Sequence, residues 1–138
     1  MNSNMYENKN PSYVLDFKKG DVNGDKIIDC IYLVGEKPFG DESPARSNIR
    51  LVIANGCTGE KTVIRLKQNT GYGPTLFLGD FTGNSVDDIM ISIDSGGSGG
   101  YAFYYIYSFL NNEPKKLFDF ETFDKEYNYE VNYLNNYK

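Results

Sequence analysis

The sequence contains no histidine and no tryptophan, and its only cysteines are Cys30 and Cys57. Without histidine the chain lacks the commonest general base, the usual ligand of transition metals and any Ser-His-Asp triad. Two cysteines do not make a disulfide framework, and we expect free thiols rather than a bridge. These absences exclude the most familiar routes to catalysis and give no support to a zinc or copper site.

The sequence also lacks long apolar runs and clusters of basic residues. No apolar run approaches the ~18 residues that would span a bilayer. Residues 1–10 are polar, contain no signal-peptide core and are expected to form a flexible tail. The net charge of −5 argues against a nucleic-acid partner, because phosphate backbones require clustered Lys and Arg. The location of the protein stays open between extracellular, spore-associated and cytoplasmic.

What the chain does contain is typical of one all-β domain, placed at 11–138. Hydrophobic residues make up 40% of the 138 positions, enough for a real core. Short segments rich in Val, Ile, Leu, Tyr and Phe alternate with turn signals about every ten residues. Strands are predicted at 12–18, 27–35, 48–55, 61–67, 75–80, 87–94, 101–110 and 115–120, with a ninth at 127–134 and one helical turn at 122–125.

Aromatic residues are concentrated in the predicted strand 101–110. Tyr101, Phe103, Tyr105, Tyr107 and Phe109 alternate onto one of its faces. The other face carries Tyr104, Ile106 and Leu110 and is not hydrophilic either. We therefore expect a central strand that is covered on both sides.

A run of oxygen-bearing side chains occurs twice, 59 residues apart. Loop positions 1, 3, 5 and 9 hold such side chains in both copies, and position 7 offers a backbone carbonyl. Calcium takes about six to eight oxygen ligands, and a tight loop of alternating Asp and Asn can supply them. The candidate ligands are Asp21, Asn23, Asp25, Ile27 and Asp29 in the first loop and Asp80, Thr82, Asn84, Val86 and Asp88 in the second.

The loops are not EF-hands. An EF-hand loop needs an acidic residue at position 12 and flanking helices. Position 12 is Tyr32 in one copy and Ile91 in the other, and both loops lie between predicted strands. A shorter loop of nine positions remains, in which Gly24 and Gly83 supply the backbone freedom of a sharp turn.

Both copies resemble the calcium loop of FG-GAP or VCBS-type repeats, which occur in integrin-like β-propellers. The family pattern is D-x-[DN]-x-D-G-x-x-D after a glycine and before an apolar strand. The first copy departs from it only at Lys26, which replaces the usual Gly; the second also has Thr82, Asn84 and Ser85 at variant positions. The resemblance implies calcium binding and β-sheet architecture, but it carries no activity. Because the first loop has three carboxylates and the second has two, we expect tighter binding at the first.

Each loop joins the first two strands of a group of four. The chain is therefore predicted to form two four-stranded antiparallel meanders, at about 12–67 and 75–120, similar to propeller blades. Two blades cannot close a propeller, which needs at least four. A small sandwich with 121–138 covering an edge is favoured, and a ring with other copies or a fragment of a longer protein are the alternatives.

The functional hypothesis is a calcium-binding β module with a structural or binding role and without enzymatic activity. Its partner would be a protein or a glycan, or further copies of the same chain. The alternatives are a small hydrolase-like enzyme or subunit that uses an acidic cleft, and a cell-surface or glycan adhesion domain. No pair of carboxylates is marked in the sequence for hydrolysis.

Overall fold

The computed structural model describes residues 11–96 and 101–119. They form an all-β fold, which confirms the predicted class. No helix in this part of the chain is long and apolar enough to cross a membrane. The elements are β1 (Ser12–Gly20), β2 (Asp29–Glu36), β3 (Ala45–Ala54), β4 (Lys61–Arg65), β5 (Gly71–Gly79), β6 (Asp88–Asp94), β7 (Ala102–Ser108), a 3₁₀ turn (Leu110–Asn112) and β8 (Lys115–Asp119).

All eight strands predicted for this part of the chain are present. The largest differences are the early starts of β3 and β5, which begin three and four residues before the predicted starts at 48 and 75. Asn48 and Gly73 have positive φ, of 49° and 54°, but the ladders continue past them through register shifts. The predicted tail 1–10, the ninth strand and the helical turn lie outside the described residues.

The strands form two antiparallel meanders joined into one open eight-stranded sheet. The first meander contains β1 to β4 and the second β5 to β8. Strand β3 joins them: its first two residues pair with β5, through Ala45↔Tyr72 and Arg46↔Gly71, and its last five pair with β4. The oxygen-rich loops connect β1 to β2 and β5 to β6, as predicted.

The two meanders contribute opposite faces to one common core. Asp29 and Asp88 occupy the same loop position, so equivalent residues of the two meanders lie the same number of residues after them. In β2 the buried side chains lie an even number of residues after Asp29, whereas in β6 the buried apolar side chains lie an odd number of residues after Asp88. We call these the even face and the odd face of each meander. The core residues include Ile31, Leu33, Leu51 and Ile53 from the even face of the first meander and Ile89, Ile91, Ile93 and Tyr105 from the odd face of the second.

A carboxylate also ties the meanders together. The Asp16 Oδ2 atom accepts a hydrogen bond of 2.8 Å from the backbone N–H of Leu76 in β5. A register shift in β1 between Val14 and Asp16 accompanies this contact. Leu76 is fully buried, so water could not replace Asp16 as the acceptor of its N–H. This hydrogen bond thus joins β1 to β5, the first strands of the two meanders, although the two strands are not neighbours in the sheet.

Replacing Asp16 by Ala should lower the free energy of unfolding by about 1–3 kcal/mol, because a buried N–H loses a charged acceptor. Denaturant unfolding of the purified protein measures this. The matched control is Asp41→Ala, which removes an exposed carboxylate that pairs with Lys37 at 2.8 Å and should change stability little. Equal effects of the two substitutions would contradict the role given to Asp16.

Alkaline pH should destabilise the fold. Burial, followed by the negative charge of Asp119, raises the pKa of Tyr107, and burial also raises the pKa of Tyr105. Unfolded tyrosines lose their protons near pH 10 while these two keep theirs, so the unfolded state binds fewer protons and stability falls above about pH 10.

Tyr107→Phe should therefore reduce the loss of stability above pH 10, as followed by denaturant midpoints between pH 8 and 11. Tyr101→Phe is the control, because that side chain is 73% exposed. A slope that Tyr107→Phe leaves unchanged would show that other groups cause the alkaline loss.

Candidate metal centre

The two oxygen-rich loops have the same backbone course. Loop position 4 has a positive φ in both, 90° at Gly24 and 81° at Gly83. Position 6 also has a positive φ, 68° at both Lys26 and Ser85. Residues with a Cβ rarely adopt that conformation, so glycine would be the favoured residue at position 6. Lys26 and Ser85 adopt this conformation although both have a side chain.

The aspartate at position 1 holds each loop through backbone N–H groups. Asp21 accepts bonds of 2.8 Å from the N–H groups of Gly24 and Lys26. Asp80 accepts the equivalent bonds from Gly83 and Ser85, both at 2.7 Å. These donors, first that of Ser85, lower the pKa of the exposed Asp80 carboxyl. The loop therefore orients the position 1 carboxylate in both copies, and in the second copy it also favours the ionised form of Asp80.

The aspartate at position 9 is buried in both loops. Asp29 is fully buried and accepts the N–H groups of Val22 at 3.0 Å and of Gly56 at 2.8 Å. A Cβ on Gly56 would lie 1.9 Å from the carbonyl oxygen of Ile28, so only glycine allows this approach. Asp29 therefore links the first loop to the turn between β3 and β4.

Three carboxylates converge in the first loop. One oxygen from each of Asp21, Asp25 and Asp29 lies within 4.8 Å of the others. Two oxygens that bind the same calcium ion at 2.3–2.6 Å can be at most about 5 Å apart, so this spacing fits one ion. Asn23 is buried beside them, and its Oδ1 accepts the N–H of Asp25 at 3.1 Å. Ile27, at position 7, has a side chain that is 42% exposed.

The second loop brings fewer charges together. In residues 11–96 and 101–119, the first loop is the one place where three metal-binding side chains of the His, Cys, Asp and Glu types converge. The Asp88 Oδ2 atom already accepts the Thr82 hydroxyl and N–H, both at 3.1 Å. The Asn84 Oδ1 accepts the N–H of Val86 at 3.0 Å.

Asp87, a further acid of the second loop, does not complete that site. Its Oδ2 lies 2.9 Å from the point where a Cβ of Gly20 would be, so the carboxylate faces the end of β1. Its backbone N–H donates to the carbonyl of Asp21 at 3.2 Å. Asp87 therefore connects the second loop to the first.

Sequence reasoning missed the asparagines that enclose the first loop. Asn112 accepts two side-chain amides with its Oδ1, those of Asn23 and Asn55, both at 2.9 Å. The N–H of Asn111 donates to the carbonyl of Asn23 at 3.0 Å. Both Asn111 and Asn112 have positive φ, of 58° and 64°, a conformation that asparagine tolerates better than most residues. The adjacent asparagines in the sequence were the signal that could have indicated a turn here.

The first loop is consequently held by all three other hairpins at its end of the molecule. The β3–β4 turn reaches it through Gly56, the β5–β6 loop through Asp87, and the β7–β8 connection through Asn111 and Asn112. The loop is preorganised by contacts from residues distant in sequence, not by its own residues alone.

Comparison with known proteins identifies a relative whose function is not known. The chain is 42% identical over 120 residues to the uncharacterized protein YybI of Bacillus subtilis (strain 168). The match covers 87% of this chain and 45% of that protein, so the chain spans less than half the length of its relative. No protein-family model matches the chain. No solved structure matches it either.

Asp29→Ala should destabilise even the metal-free protein, by roughly 2–4 kcal/mol, because two backbone N–H groups lose a charged acceptor in a buried place. Urea unfolding in the presence of a chelator measures this. Asp25→Ala is the matched control in the same loop: Asp25 is exposed and accepts the N–H of Ile27 at 2.8 Å. Its loss should cost less than about 1 kcal/mol. A larger effect at Asp25 than at Asp29 would reverse our assignment of their roles.

Proposed function

We propose that this chain is a calcium-stabilised β module with a structural or binding role. The observation that carries the proposal is the convergence of the Asp21, Asp25 and Asp29 oxygens within 4.8 Å. Like charges at that distance repel one another, and a divalent cation between them would turn the repulsion into attraction. The same loop holds all three carboxylates in place through backbone donors, so little ordering would accompany binding.

The donor set favours calcium over transition metals. The ligands offered are carboxylate, amide and carbonyl oxygens, which suit hard cations, and the chain has no histidine. Asp21, Asp25 and Asp29 would supply charge, and the Asn23 side chain and the Ile27 carbonyl would add neutral oxygens. Calcium prefers such flexible oxygen cages, whereas magnesium demands near-ideal octahedral geometry.

The second loop is proposed as a weaker site of the same kind. It offers the carboxylates of Asp80 and Asp88, and Asp88 is already engaged by three donors from its own loop. Fewer charges give lower affinity. The Thr82, Asn84 and Val86 oxygens would complete the ligand set.

The ion would act on the whole end of the molecule. Asp29 and Asn23 join the first loop to the other hairpins, so an ion that holds these side chains also holds their neighbours. Binding only to the folded state stabilises it by about 2.7 kcal/mol when free calcium is a hundred times the dissociation constant. This supports a structural role for the ion and leaves recognition of a protein or glycan partner to other surfaces.

Calorimetric titration of chelator-treated protein with calcium should show one tighter binding event, with a weaker second one at higher concentration. Asp25→Ala should abolish the tighter event without unfolding the protein, because Asp25 is exposed. Thermal unfolding should shift upward with calcium for the native protein and for the control Asp41→Ala, which lies outside both loops.

The proposal fails if the native protein gives no heat and no thermal shift, or if Asp25→Ala binds calcium as tightly as the native protein. An equal response to magnesium would argue against a calcium-selective site.

A further inference from the structure

The packing of the two meanders leaves one apolar face of each without a partner among the described residues. The odd face of the first meander contains a groove lined by the apolar side chains of Val14, Tyr32, Val34, Val52 and Val63 together with Arg50 and Lys61. The even face of the second meander includes Phe77 and Tyr104, which are 44% and 43% exposed, with Met90 and Ile106 between them in the ladder. Within residues 11–96 and 101–119, β7 is apolar on both sides but is covered on one side only, whereas its sequence predicted cover on both.

These two faces are equivalents of the faces that meet inside the chain. Val52 pairs with Tyr32, three residues after Asp29, and Tyr105 pairs with Ile91, three residues after Asp88. Tyr105 is fully buried against the first meander, whereas its equivalent Val52 is only half-buried. The odd face of the first meander therefore repeats a surface already used for packing.

The same holds for the other free face. Leu51 pairs with Leu33, four residues after Asp29, and Tyr104 pairs with Ser92, four residues after Asp88. Leu51 is fully buried and its equivalent Tyr104 is 43% exposed. Each free face could therefore form one side of the same even-to-odd contact that joins the two meanders within the chain.

A contact between two different faces can be repeated, and it forms a ring when the rotation closes. Propellers close with as few as four blades, and two copies of this chain supply four. We propose that a second copy of this chain occupies the free faces, with the odd face of each first meander packed against the even face of the partner's second meander. The resulting dimer has two identical contacts and continues the packing seen within the chain.

The available area is sufficient for a stable dimer. A four-stranded patch seven residues long measures about 19 Å by 23 Å. The two contacts of the closed pair would bury on the order of 1,800 Å², which is within the range of specific interfaces.

Charge argues against the simpler dimer in which two odd faces meet. The odd face of the first meander carries Arg50, and its register partners in β4 place Arg65 and Lys61 on the same face. Two such faces would bring like charges together, which disfavours that pairing. The even face of the second meander carries both signs of charge, with exposed Asp94 and exposed Lys115, which pairs with Ser108, so it does not repeat this repulsion.

Light scattering coupled to size exclusion on the full 138-residue chain tests the proposal, with an expected mass of twice 15.6 kDa. Val52→Lys should shift the protein to monomer, raising the dimer dissociation constant at least tenfold, because it places a charge in both contacts. Tyr104→Glu should do the same from the other side. Phe39→Lys is the control: Phe39 is 75% exposed in the turn after β2, and the dimer should persist.

Mixing the two disruptive variants gives the sharper result. A dimer of Val52→Lys with Tyr104→Glu has one native contact and one contact with a Lys opposite a Glu, so the mixture should recover dimer that neither variant forms alone. If Tyr104→Glu alone stays dimeric, the contact is odd to odd and the proposal is wrong. A native chain that is monomeric at 100 µM would also overturn it and leave the faces to residues 120–138 or to another protein. Circular dichroism of each variant establishes that it is folded.

Discussion

The organisation of one end of this molecule depends on a buried carboxylate. Asp29 begins β2 and at the same time accepts backbone donors from its own loop and from the neighbouring hairpin at Gly56. A buried charge is tolerated only when hydrogen bonds replace its lost hydration, so the loop and the turn must both close on it. Once they do, the remaining carboxylates of the loop are brought to within 4.8 Å of it. The structural role of Asp29 and the proposed metal site are thus two consequences of one constraint.

The repeated loop was a reliable guide to architecture because its information is local. The aspartate at position 1 accepts backbone N–H groups from within a stretch of six residues, and such bonds do not depend on the surrounding fold. Hence the positions of the two hairpins, and the four strands around each of them, could be predicted from sequence. The starts of β3 and β5 could not, because Asn48 and Gly73 have positive φ and interrupt the regular pairing, yet the ladders continue beyond them. A local signal for positive φ does not tell a turn from a bulge.

The non-local part of the site was equally beyond sequence reasoning. Nothing near Asp87 indicates that its carboxylate faces Gly20 rather than its own loop. The amide of Asn112 meets those of Asn23 and Asn55 only because three hairpins end side by side. Such contacts depend on how the meanders pack. The free Cys30 and Cys57, by contrast, agree with the expectation from their small number.

The opposite faces used by the two meanders explain how a repeat can diverge without losing its fold. Equivalent positions have different environments. Ile91 is in the core, whereas its equivalent Tyr32 lies on the outer face, with its ring centroid 5.0 Å from that of Phe17. The core therefore needs apolar residues at even positions of the first repeat and at odd positions of the second, while the loop positions meet the same requirement in both. A strand with apolar residues on both faces satisfies either arrangement. Strands β2 and β7 are apolar on both sides, as expected if each repeat packs against two neighbours. Within a single chain of two meanders, each repeat has only one such neighbour.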